Sequence, residues 1–288
     1  MSEFTLDEAR RLRDKVFADE HLLGLADKAD QQSQSQSKHG RQHCYDVPEL
    51  GRAFMQKLEE MFPGTISPME MVLAEIAMFT HDLGRSVQIK GHAAHSAQIL
   101  GEYLKQTSMP VEMRRELCYA VRWHSAEDCL PPENRVKTNV HALLIIADKL
   151  VGDAERVRGK KAFWLRVWQK LGLMNRMWTY WHNTKQEDPK NNAANYSIKS
   201  VSIDIDPNDT PEPRYRGAML CRMEVDERYA TMEQIFLVEW FFAAYHAVAR
   251  SCQHLGFVFR IEVNGRRYAW SNERKGWQVN RPIDVPRH

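Results

Sequence analysis

Phe79-Thr80-His81-Asp82-Leu83-Gly84-Arg85 ends a run of helically spaced apolar residues with an adjacent imidazole and carboxylate, then a glycine. A His-Asp pair at a helix end can turn one nitrogen and one oxygen toward a single ion. A hard to borderline divalent metal accepts that mixed donor set. Two ligands do not make a site, so further donors are sought on neighbouring helical segments. His43 lies upstream, and His92, His124 and Asp148 follow downstream. Each falls in or beside a predicted helix, and the core of a helix bundle can gather such side chains. Seven of the twelve histidines lie between His39 and His141, a concentration that points to metal or acid–base chemistry.

Outward from this stretch, apolar residues recur at helical spacing near 48–62, 68–82, 92–106, 110–124 and 138–157. Breaks fall at Pro63-Gly64, Gly84, Pro110 and Pro131-Pro132. One amphipathic helix is expected over 5–27, followed by a polar Gln/Ser linker at 31–37. Beyond 195 the pattern changes. Ser197 to Ile205 alternates with period two, Ala218 to Val225 reads as a second strand, and 229–254 reads as a long helix. Phe257 to Val263, then Asn264-Gly265, then Arg266 to Trp270 predicts a hairpin. The expected fold is mainly α: a helical bundle with a small C-terminal α+β unit containing an antiparallel sheet. Its parts are an N-terminal helix and linker (1–38), a metal-binding helical domain (39–158), a basic Trp-rich insertion (159–194) and the α+β unit (195–288).

The chain has 288 residues, 43% hydrophobic and 27% charged, which excludes disordered and fibrous classes. No apolar run approaches the ~18–20 residues of a membrane span. The N-terminus offers no apolar signal core, and the five cysteines are odd in number with no CxxC spacing. A cytoplasmic chain with no membrane partner is the expectation. The net charge of +2 names no partner.

The order His43, His81-Asp82, His92, His124, Asp148 resembles the HD superfamily of metal-dependent phosphohydrolases. His92-Ala93-Ala94-His95-Ser96-Ala97-Gln98-Ile99-Leu100 looks like that superfamily's second-metal helix. Trp123-His124-Ser125 looks like its later single-His segment, and Ile145-Ile146-Ala147-Asp148-Lys149 like its final ligand segment. The C-terminal part is similar to one bacterial branch of uncharacterised HD phosphohydrolases, through Arg156-Val157-Arg158, Asn195-Tyr196 and the terminal Asn264-Gly265. The resemblance implies an HD-type bundle in which His43, His81, Asp82 and Asp148 hold one metal. His92 and His124 complete a second, with Asp82 bridging. It implies divalent ions (Mn, Fe, Mg, Co, Ni or Zn), two per chain, and metal-activated water attacking a nucleotide or related phosphate ester. Asp82, Arg85 and Lys149 are the implied catalytic residues, the two cations meeting phosphate oxygens. Many relatives carry Lys or Asn where Arg85 stands.

Alternatives stay open at several positions. His39 competes with His43, and His95 is an alternative ligand one helical turn from His92. Asp148 ends the apolar run Leu143 to Ala147, where a carboxylate is costly unless paired or metal-bound. The Gly-Tyr-Pro signature of cyclic dinucleotide phosphodiesterases is absent after His124, where Ser125-Ala126-Glu127-Asp128 stands, so the substrate is open. Some HD-fold proteins with six such ligands hold two irons and use oxygen, a different enzyme class. Residues 156–186 carry eight Lys or Arg, no acid and four tryptophans. They read as a packed helix pair, with nucleic-acid binding as the rival and a metal-containing binding or sensing module as the third function. A small phosphorylated substrate and a homodimer are the other expected partners.

Overall fold

The computed structural model describes residues 4–32, 40–125, 136–151, 157–271 and 276–279. His39, most of the Gln/Ser segment, Ala126 to Asp128, Cys129, Pro131-Pro132 and Arg156 lie outside them. The expected fold class is the observed one: mainly helical, with a small C-terminal unit built around a sheet.

The single helix expected over 5–27 is two. α1 (Leu6–Phe17) starts at a capping box between Thr5 and Glu8. It stops at Ala18, because the Asp19 carboxylate accepts the backbone N–H groups of His21 and Leu22 at 3.0 and 3.1 Å. That cap starts α2 (Glu20–Gln32), so Gln31 and Gln32 end a helix rather than open a linker.

α3 (Arg41–Met61), α4 (Pro68–Thr80), α5 (His92–Lys105), α6 (Val111–Arg122) and α7 (Asn139–Leu150) form the bundle. α4 begins at a second capping box, Ser67 with Glu70. α7 is buried at every position from Val140 to Leu150, as a helix apolar all round should be. It packs against α3, α4 and α6 on the bundle side. Glu75, buried on α4, takes ion pairs from Arg52 of α3 (2.8 Å) and Arg13 of α1 (3.3 Å), which ties those three helices together.

Residues 159–183 form the expected helix pair, α8 (Gly159–Lys170) and α9 (Met174–Asn183). Trp178 and Trp181 are buried, and the Trp178 indole N–H donates to the Tyr229 carbonyl at 2.8 Å. Trp164 is exposed, so the packed-stripe reading holds for half of the tryptophans and fails at Trp164. α10 (Glu187–Ser197) follows and leads into the sheet.

The sheet has five strands in sequence order: β1 (Ile198–Asp206), β2 (Ala218–Val225), β3 (Val258–Val263), β4 (Arg266–Ser271) and β5 (Gly276–Val279). It is mixed, not purely antiparallel. β2 and β3 run parallel because α11 (Met232–Phe236) and α12 (Glu239–His254) cross over between them and return the chain to the same end. The expected Asn264-Gly265 turn is present, with positive φ at both residues (47° and 78°). α12 lies on α7, and one apolar core runs through bundle and sheet.

His141, on the buried face of α7, donates from Nε2 to the Trp123 carbonyl at 3.0 Å. Burial pushes its pKa down to about 4. An unfolded histidine titrates near ~6.5, so between these values the unfolded chain takes up a proton that the folded one refuses. Stability contributed here is complete above about pH 6.5 and is lost as pH falls toward about 4. Urea unfolding of His141→Gln should therefore fall less steeply across that window than wild type, by roughly 3 kcal/mol at its acid end. Parallel pH profiles would remove His141 as the source.

Candidate metal centre

α4 ends at Thr80, and His81 caps it in helical conformation. Asp82 leaves the helix (φ −105°, ψ 0°), and Leu83–Ser86 makes one 3-10 turn. The change of direction turns the two adjacent side chains into the bundle, where both are buried. His43 arrives on the first turn of α3, His92 at the first residue of α5, His124 just past the end of α6 and Asp148 near the end of α7. The structure brings all six sequence-derived donors together. Three overlapping groups have ligand atoms within 4.8 Å of one another: His43, His81 and Asp82; His81, His124 and Asp148; Asp82, His92 and His124. His95 is in none of them.

Asp82 is shared. Its Oδ2 lies 3.7 Å from His43 Nε2 and 3.6 Å from His81 Nε2. Its Oδ1 lies 3.0 Å from His92 Nε2 and 3.7 Å from His124 Nε2. Asp148 Oδ1 lies 3.3 Å from His81 Nε2 and 3.9 Å from His43 Nε2, and Asp148 also groups with His124.

Three of the four imidazoles are oriented by the backbone. Nδ1 of His81, His92 and His124 faces the carbonyl oxygen of Met78, Ile89 and Val121 at 2.7, 3.0 and 2.7 Å. A carbonyl only accepts, so each Nδ1 carries a hydrogen, and Nε2 is the atom each ring turns to the centre. For His124, burial pushes the pKa down to about 4, so at neutral pH its ring is uncharged. Its Nε2 stands 3.4 Å from His92 Nε2, with Asp82 Oδ1 beside both. The donor set, imidazole nitrogens with carboxylate oxygens, is one a divalent cation takes.

The electrostatics agree. Burial favours neutral Asp82, but Arg85, His81 and His92 outweigh it and hold the carboxyl well below its ordinary range. Asp148 is likewise held down against burial, chiefly by Lys149 and His81. For His81, burial works against the charged form and the two aspartates more than reverse it.

Arg85 and Lys149 sit against the same carboxylates. Arg85 Nε is 2.9 Å from Asp82 Oδ2, and Lys149 Nζ is 2.5 Å from Asp148 Oδ2.

Sequence reasoning missed the part that fixes the two halves relative to each other. The Gly84 N–H donates to the buried Ser96 hydroxyl at 2.8 Å, which docks the 3-10 turn on α5. A Cβ at Gly84 would stand 2.2 Å from the His92 carbonyl oxygen and 2.3 Å from Ser96 N. Small residues around Ser96 (Ala93, Ala94, Ala97) are the only signal of such a close approach.

No protein-family model matches the chain, and no curated protein matches it.

Gly84→Ala is expected to cost about 1–3 kcal/mol or more by overpacking. Ser96→Ala should cost about 1–3 kcal/mol by leaving a buried N–H without an acceptor. Urea midpoints shifted at constant slope would show both, and wild-type midpoints would show that the turn is not docked this way.

Proposed function

We propose that this chain is a divalent-metal-dependent phosphohydrolase acting on a nucleotide or related phosphate ester. The observation that carries the reading is the convergence of four histidine Nε2 atoms around Asp82, with one carboxylate oxygen turned to each pair of histidines. His43, His81, Asp82 and Asp148 would hold one ion, and Asp82, His92 and His124 a second. The ordered resemblance of these six residues to the HD superfamily supports the same assignment.

Bound divalent ions supply Lewis acidity toward a phosphoryl oxygen and lower the pKa of a coordinated water. The protein's own residues do the rest. The three Nδ1–H···O=C contacts keep the histidine Nε2 atoms aimed inward, so no tautomer change accompanies substrate binding. Burial keeps the His124 ring uncharged at neutral pH, so its Nε2 would be available to hold an ion. Arg85 and Lys149 place two cations at the edge of the carboxylate pair, where a phosphate ester brings negative charge. Arg85 offers a planar fork to phosphate oxygens, and Lys149 a compact point charge.

The test is a panel of phosphomonoesters, phosphodiesters and nucleotides assayed with manganese under nitrogen. Hydrolysis should appear, vanish with chelator and return with metal. Asp82→Asn and His124→Ala should each lose more than the ~10–100-fold typical of changes to outer-shell partners of a metal site. Turnover that requires iron and oxygen would overturn the reading in favour of oxygenase chemistry. Binding of metal with no turnover on any ester would favour a sensing or binding module.

A further inference from the structure

α8 is apolar on two faces, and only one of them is covered. Ala162 and Leu165 point into the core. Phe163, Trp164 and Leu171 point outward, 52%, 46% and 64% exposed. At 100° per residue, Lys160, Trp164 and Leu171 share the centre of the outward arc, with Phe163 and Lys170 on one flank. Of the large hydrophobic side chains exposed among the described residues, Leu171 is the most exposed. Within the stretch 156–186 the sequence holds eight Lys or Arg and no acid, although Arg158 pairs with Asp30 of α2 and Asp188 of α10 acts on Lys161.

An exposed stripe of Trp, Phe and Leu with one lysine within it and another at its edge is the composition of a helix that lies in the plane of an anionic interface. Nucleic acid offers the same negative charge and is the nearest rival. It uses aromatic faces for stacking. Here one face of Trp164 is already stacked on Trp168 (centroids 6.2 Å apart, planes 29°), and Phe163 meets the same ring edge-on at 5.6 Å. Leu171, the most exposed of the three, has no ring to stack. Beyond Trp168, the contact to Trp181 (5.6 Å) anchors the stripe to the core, so the helix is held rigidly.

We propose that α8 docks this chain on an anionic lipid bilayer surface, with Phe163, Trp164 and Leu171 entering the interface and Lys160 and Lys170 meeting headgroup phosphates. The expectation of no membrane partner rested on the lack of a spanning run, which says nothing about a helix lying on a surface. No helix among the described residues is long and apolar enough to cross a membrane, and none is needed. The inference is independent of the metal centre.

The experiment is co-sedimentation of the full chain with vesicles of phosphatidylcholine alone and of phosphatidylcholine with 30% phosphatidylglycerol (about 30%, a composition chosen for anionic charge). The chain should sediment with the anionic vesicles, weaken with salt, and show tryptophan quenching by brominated acyl chains. The triple variant Phe163→Ser, Trp164→Ser, Leu171→Ser should lose roughly tenfold or more in affinity. Lys160→Glu with Lys170→Glu should lose at least about five-fold per lysine. Both should keep wild-type circular dichroism, because the changed side chains are outside the core. No sedimentation at low salt, or sedimentation unchanged in a folded triple variant, would overturn the proposal. So would tighter binding of a single-stranded oligonucleotide that depends on the same residues, which would reassign the surface to nucleic acid.

Discussion

Two ionised carboxylates stand near the middle of a helix bundle, and the fold is arranged around keeping them charged. A buried charge without partners costs far more than a small domain's whole stability can absorb. Asp82 and Asp148 are therefore ringed by four imidazoles, Arg85 and Lys149, and both remain ionised against strong burial. That requirement explains why α7, apolar at almost every turn, ends with Asp148 and Lys149 side by side. α4 stops at Thr80, and Asp82, outside the helix, turns one carboxylate oxygen to each half of the cluster. The Gly84–Ser96 contact then sets the spacing between those halves.

Much of the site is legible in the sequence because its parts are chemically conspicuous. Histidine and aspartate inside apolar helical runs have few bland explanations, and five helices in one bundle leave few places for them to go. The contacts that hold the site are less visible. Gly84 reads as a helix break, although its need is a close backbone approach to α5. Ser96 reads as one more small residue. Pro48 resembles a helix start, yet it lies inside α3, which begins at Arg41 and so carries His43.

The C-terminal unit shows the same division. The alternation in β1, the Asn264-Gly265 turn and the register of the β3–β4 hairpin follow from local chemistry. The parallel pairing of β2 with β3 does not. It depends on where α12 packs, and α12 is placed by α7, about a hundred residues earlier in the chain. α10 escaped notice because Pro189 and its asparagines are poor helix formers, which tertiary packing overrides. The stretch 156–186 is basic, and the remainder of the chain carries a net acidic charge.

The central claim is that the six donors are a metal site and not a hydrogen-bonded core cluster. Metal content per chain, measured by elemental mass spectrometry on protein purified without chelators or nickel affinity, tests it most directly. The account predicts about two divalent ions per chain, as expected of a dinuclear hydrolase, and loss of both in Asp82→Ala, since that residue serves both halves. A chain that stays metal-free after incubation with manganese, iron or zinc, while folded, would contradict it.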